Sequence, residues 1–210
     1  MKYPVLIIGL LLLNHIKILK AQHPDIEFIT GKEYASYCIQ NLKQGALVVR
    51  LNFKPKALNA LQQMGNTIKA DRLRLAQREE NLAIMRAFKE GFHFCPVYFI
   101  RLDSAVAFQK GQQGNYFLDN NLIVDTTIRM KEKFFLFAEY GMLETSLSAD
   151  KTQPGQETVR RGLMADALII RDKNLELLPR PFPFYIHFGD WKERVRKLEK
   201  RLQRFYLGNK

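Results

Sequence analysis

The apolar positions change period several times along the chain, and each change marks an element. Ala46–Leu51 and Phe94–Arg101 are short runs rich in β-branched and aromatic residues, the composition of strands. Between them, Lys56–Glu90 keeps a helical period. Two strands joined by so long a helical connection predict a βαβ unit, because parallel strands need a crossover. Pro55 suits the first turn of a helix, and Leu58, Leu61 and Met64 follow at three-residue spacing. Gly65-Asn66 interrupts the pattern and Thr67 is placed to cap a new helix, so the crossover is either a helical hairpin or one kinked helix. Its second part sets Ile68, Leu75, Leu82 and Met85 on one stripe expected to face the core, with Lys69, Arg72, Arg74, Arg78, Glu79, Glu80 and Arg86 off it.

Upstream, Thr30 and Glu33 form a capping-box pattern, predicting a helix to about Lys43 with Tyr34, Cys38 and Leu42 on one face. Gly45 is expected to end it in a left-handed conformation. Downstream, Ala105–Phe108 suits a short helix, and residues 114–125 read as a hairpin turning at Asn120-Asn121. Lys133–Tyr140 is continuously apolar rather than alternating, as expected of a central strand covered on both faces. Glu144–Gly162 is polar and turn-rich and reads as a mobile loop, whereas Ala167–Arg171 and Leu175–Leu178 flank Asp172-Lys-Asn174 as a second hairpin. The prolines of Pro179–Tyr185 confine that segment to a surface or sheet edge, since they lack amide donors. From a cap at Asp190, Trp191, Val195, Leu198, Leu202 and Phe205 alternate spacings of four and three along a final helix. The fold expected is an α/β (or α+β) single domain with a mixed β-sheet, a long helical βαβ crossover and a carboxy-terminal basic amphipathic helix.

The first residues stand apart from this pattern. Met1–Pro4 is a short positive start and Val5–Leu13 an apolar run too short to span a bilayer comfortably, which together read as a secretory signal peptide with Ala21 before the cut. His15, Lys17 and Lys20 are polar for such a segment, and an uncleaved anchor is the alternative. The organisation expected is a signal over residues 1–21, an α/β domain over 22–188 and the helix over 189–210. Loss of the signal takes Lys2, Lys17 and Lys20 with it and lowers the formal net charge from +12 to +9. Export to the periplasm or cell envelope would replace nucleic acid, the usual partner of a basic chain, by an envelope protein, an anionic glycan or a lipid surface.

Searching for chemistry narrows the function by exclusion. The chain has no Gly-rich phosphate loop, Gly-x-Ser-x-Gly elbow, His-Glu-x-x-His helix or alternating-Asp calcium loop. His93 and Cys95, two apart in an expected strand, would share a side and make a metal, hydrolase or redox site if His187 approached. Asp119, Asp125 and Glu139 would supply acid and base if they met at one end of the sheet. Cys38 and Cys95 belong to no Cys-x-x-Cys pair and read as two buried thiols, a disulfide being the alternative. With its Cys95-Pro96 step, the order of elements is similar to a thioredoxin-like domain, which implies that fold without the paired redox cysteines. Asp103-Ser104-Ala105 and Asp125-Thr126-Thr127 are similar to a short O-glycosylation signal of some exported bacterial proteins, which implies glycans at Ser104 and Thr126.

No catalytic, cofactor-binding or metal-binding residue is assigned. The leading expectation is an envelope-associated protein-interaction or structural module without catalysis. Its contacts would come from Trp191, Arg194, Lys197, Arg201 and Arg204 on the final helix and from Phe182, Phe184 and Tyr185 in the proline segment, either toward another protein or in self-association. The hydrolase or redox reading on His93, Cys95 and His187 is the first alternative, and binding of an anionic glycan or lipid head group is the second.

Overall fold

A computed structural model describes residues 31–111, 115–145, 163–178, 185–186 and 189–208. In chain order the elements are α1 (Gly31–Lys43), β1 (Ala46–Leu51), α2 (Pro55–Gln63), α3 (Thr67–Gly91), β2 (Val97–Arg101), α4 (Ala105–Gln109), β3 (Phe135–Thr145), β4 (Leu163–Arg171), β5 (Tyr185–Ile186) and α5 (Trp191–Gly208). A single 3-10 turn, Leu102–Ser104, leads from β2 into α4. The strands form one mixed sheet in the order β2-β1-β3-β4-β5. β1 runs parallel to β2 and β3, whereas β4 is antiparallel to β3 and β5. The domain is α/β, with the helical crossover between β1 and β2 that the hydrophobic period predicts, and the long apolar run forms the middle strand.

Alternation along the strands divides the core between the two faces of the sheet. Leu47, Val49, Leu51, Leu136, Ala138, Leu168 and Ile170 meet side chains of α1, α3 and α5 on one face. Ala46, Val48, Ile100 and Phe137 meet Phe108 of α4 and Phe117 on the other. The helix α5 belongs to the first of these layers. Val195, Leu198 and Leu202 are at most 1% exposed, and Trp191 and Phe205 pack against them. Asp190 caps the helix by accepting from the Glu193 N–H at 2.8 Å. Glu199 Oε2 accepts from the N–H groups of His93 and Phe94, both at 3.0 Å, joining α5 to the turn that enters β2. The Trp191–Phe205 seam is therefore packed against the domain's own core.

Several local expectations change. Gly45 does not adopt a positive φ; it is required because a Cβ there would collide with the Phe134 carbonyl oxygen where α1 meets the sheet. Asn66, rather than Thr67, caps α3, its side chain accepting from the Lys69 N–H at 3.3 Å. Leu82 and Met85 do face the core, but Ile68 and Leu75 are 67% and 62% exposed, so no described element covers that end of the stripe. Cys95 lies in the bend before β2, not within a strand, and Glu144 and Thr145 belong to β3. Residues 146–162 and the cap residue Thr30 lie outside the described residues.

The two expected hairpin turns prove to be one motif used twice. In Asp119-Asn-Asn-Leu-Ile123 and Asp172-Lys-Asn-Leu-Glu176 the leading Asp Oδ1 accepts from the N–H groups two and four residues on. Each turn closes with a backbone bond from the fourth residue to the first, and another from the first to the fifth. Leu122 and Leu175, not the asparagines, take the left-handed conformation, at φ 64° and 67°. Of the expected hairpin, the described residues 115–125 pair with their neighbours through isolated bridges rather than a full ladder.

Replacing Leu198 by Ala should lower unfolding free energy by about 2–5 kcal/mol, whereas Leu207→Ala at an exposed position should stay within about 0.5 kcal/mol, measured by urea denaturation. Equal, small effects at both positions would contradict the docked helix.

Candidate functional site

Charge inside the sheet marks the first candidate. Glu139, in the middle of β3, is 8% exposed and stands opposite Arg50 in the β1–β3 register. Arg50 Nη1 donates to Glu139 Oε2 at 2.5 Å, and Arg171 Nε donates to Oε1 at 2.6 Å. Arg171 also donates to the Leu175 carbonyl at 3.0 Å, and the Arg50 guanidinium lies 5.7 Å from the centre of the Phe137 ring. Burial pulls the Arg50 pKa below its ordinary value, with the Glu139 carboxylate opposing that shift and Arg171 adding to it. One buried carboxylate between two guanidinium groups leaves a net positive charge in the sheet.

Arg50 is also the hinge between two cavities where β1 ends and α2 begins. One, of about 200 Å³, reaches from Arg50 to Gln77 and Asn81 on α3 and Tyr140 on β3. The other, of about 540 Å³, is lined by Phe53, Pro55, Ala57 and Leu102, and the two share Arg50, Asn52 and Lys54. Open α/β sheets bind ligands at the carboxyl ends of their parallel strands, and this is that location. Lys54 takes the left-handed conformation there, at φ 49°, with its N–H donated to Asn52 Oδ1 at 2.8 Å.

The residues singled out from the sequence are placed unevenly. Trp191 stacks edge-on to Tyr140 at 3.9 Å between ring centres, and Arg194 pairs with Asp166 at 3.0 Å while lying over the Trp191 ring. Lys197 is half-buried, and Arg201 and Arg204 are exposed. Tyr185 sits in the short edge strand β5, as the proline-rich composition requires. Phe182, Phe184 and His187 lie outside the described residues. The period of α5 found its buried seam but not the row opposite, where Arg196, Lys200 and Arg204 follow at four-residue spacing beside Arg201. All four are exposed, and among the described residues no carboxylate pairs with them.

Of the expected thiol site, His187 lies outside the described residues, and His93 and Cys95 do not share one side of a strand. His93 is exposed whereas Cys95 is 8% exposed, because the chain bends between them instead of running as a strand. Burial pushes the Cys95 thiol up to about 12, away from the range of an activated nucleophile. Cys38 is likewise buried, unpaired with Cys95, and pushed up to about 12 by burial. Among the described residues no cluster of three His, Cys, Asp or Glu side chains is placed to hold a metal. Asp119 and Asp125 share a groove of about 290 Å³ beside Lys89, but each carboxylate is used by its own turn, and Glu139 lies apart from them. Of the two glycosylation-like tripeptides, Ser104 is half-buried at the start of α4 and Thr126 is exposed. No helix of the described residues is long and apolar enough to cross a membrane.

No protein-family model, curated protein or solved structure matches this chain.

Substituting Glu139→Gln strands two guanidinium groups in the sheet and should cost about 3–5 kcal/mol in a urea titration. A loss below 1 kcal/mol, set as the limit of a surface pair, would contradict the buried cluster. The thiols supply a pH test. Their folded pKa of about 12 lies above the ordinary thiol value of about 9, so their contribution to stability is fully present below pH 9 and is lost as pH rises from 9 toward 12. Replacement of both Cys38 and Cys95 by Ala should flatten that alkaline fall; an unchanged slope would count against the assignment.

Proposed function

We propose that the protein is an exported, non-catalytic binding module of the cell envelope that engages an acidic protein partner through the outward face of α5. The observation carrying this reading is the exposed row of Arg196, Lys200, Arg204 and Arg201 with no carboxylate paired to it. Like charges four residues apart destabilise a helix by about 0.2–0.5 kcal/mol per pair, and an acidic surface would offset that cost. Arginine also suits interface anchoring, because its planar fork makes paired bonds to carboxylates.

Insertion into a lipid surface is less well supported, because it needs an exposed apolar face on the same helix. On α5 that face carries Val195, Leu198 and Leu202, which are buried in the core. The thiol-based enzyme reading is weakened by the protonated, buried Cys95. Export rests on the amino-terminal signal-like segment.

Crosslinked capture from the native cell envelope tests the reading with the full-length chain and a variant carrying Arg196→Glu, Lys200→Glu, Arg201→Glu and Arg204→Glu. One defined acidic protein should be recovered with the unaltered chain and lost with the variant. Equal recovery by both, or recovery of anionic lipid or glycan in place of a protein, would overturn the proposal.

A further inference from the structure

The outward face of α3 carries an apolar row that the described fold leaves open. Ile68 and Leu75 are 67% and 62% exposed, and Met64, in the turn before α3, is 71% exposed. Buried Ala70, Gln77, Asn81, Ile84 and Phe88 mark the face turned to the core, and at 3.6 residues per turn Ile68 and Leu75 stand opposite it. From Ile68 to Glu79 every residue except Ala70, Leu73 and Gln77 is exposed. Single exposed hydrophobic residues are ordinary, but a row of them at helical spacing marks an interaction surface.

The row continues in alternating steps of four and three as Ile68, Arg72, Leu75, Glu79, Leu82 and Arg86, the spacing that keeps a seam on one side of a helix. Leu82 is half-buried and the other five are exposed. The charges within the row are of both signs. Among the described residues neither Arg72 nor Glu79 has an ion-pair partner, whereas Asp71 beside them is taken by Arg74 at 2.5 Å.

That arrangement selects the occupant. An anionic lipid surface calls for a basic flank around the apolar row, and the Glu79 carboxylate opposes it. An acidic protein meets the same obstacle. A second copy of α3 does not, because the row is its own complement when reversed. Ile68 and Leu82 each lie seven residues from Leu75, and Arg72 and Glu79 lie three and four residues from it on opposite sides. A two-fold axis at Leu75, with the helices antiparallel, therefore sets Leu75 on the partner's Leu75, Ile68 on the partner's Leu82 and Arg72 beside the partner's Glu79. Symmetry makes the Ile68 contact and the ion pair twice. A parallel pair would instead oppose Arg72 to Arg72 and Glu79 to Glu79.

We propose that the protein self-associates as an antiparallel two-fold dimer through the Ile68–Leu82 face of α3. A single helix pair belongs to the size class below about 1,200 Å² of buried surface, so the dimer forms at micromolar concentration. The proposal does not depend on the basic row of α5, which lies on another helix.

Sedimentation equilibrium of the full-length protein over about 1–100 μM is the test. The unaltered chain should pass from monomer to dimer across that range. Leu75→Lys, at an exposed position where folding is not at risk, should weaken the dimer about tenfold or more. Arg72→Glu and Glu79→Arg should each weaken it severalfold by bringing like charges together, and the two combined should restore association to near the unaltered value. A monomer throughout, with or without binding to phosphatidylglycerol vesicles, would overturn the proposal. So would a dimer unchanged by Leu75→Lys, or a combined variant no stronger than either single change.

Discussion

A carboxylate in the middle of the central strand constrains the rest of this sheet. Glu139 cannot be left charged and alone at 8% exposure, so β1 must bring Arg50 opposite it and β4 must bring Arg171 within reach. Slippage of β1 or β4 by one residue would turn its arginine to the other face and leave a charge buried without a partner. Hydrophobic burial holds the strands together, but it tolerates small shifts more readily than this cluster does. The cluster thereby fixes where β1 ends, and the carboxyl end of β1 is where the two cavities and the strained Lys54 are found.

The helix α5 links stability to recognition through its two faces. Its inward residues complete the layer formed by α1 and α3, and Glu199 satisfies two backbone N–H groups at the entrance to β2. Its outward Arg196, Lys200, Arg201 and Arg204 are left with no carboxylate paired to them among the described residues. A helix anchored in this way presents a basic row at fixed spacing, which reduces the ordering cost of association.

Legibility followed locality. The crossover, the central strand, the Asp190 cap and the seam of α5 were readable because each depends on residue type at a fixed period. The exposure of Ile68 and Leu75 was not, since a stripe shows which face is apolar and not whether another element arrives to cover it. At Cys95-Pro96 the composition suggested strand, yet the bend is stabilised by a nonlocal bond in which the Pro96 carbonyl accepts from the Leu47 N–H at 2.9 Å. Glu139 drew notice as an acid, but only the register shows that it is claimed by two arginines. Fainter still was the burial of Gln77 and Asn81, which read as ordinary polar positions of a long helix until their amide oxygens are found buried and unpaired.

The central claim is that α5 is part of the core, so that only its outward face is free for a partner. Native-state hydrogen exchange on the full chain measures this directly, because amides that open only with global unfolding share one exchange free energy. Amides from Val195 to Leu202 should exchange together with those of β1 and β3. Exchange of α5 at a much lower free energy, with the sheet still protected, would show a separable helix and contradict the account.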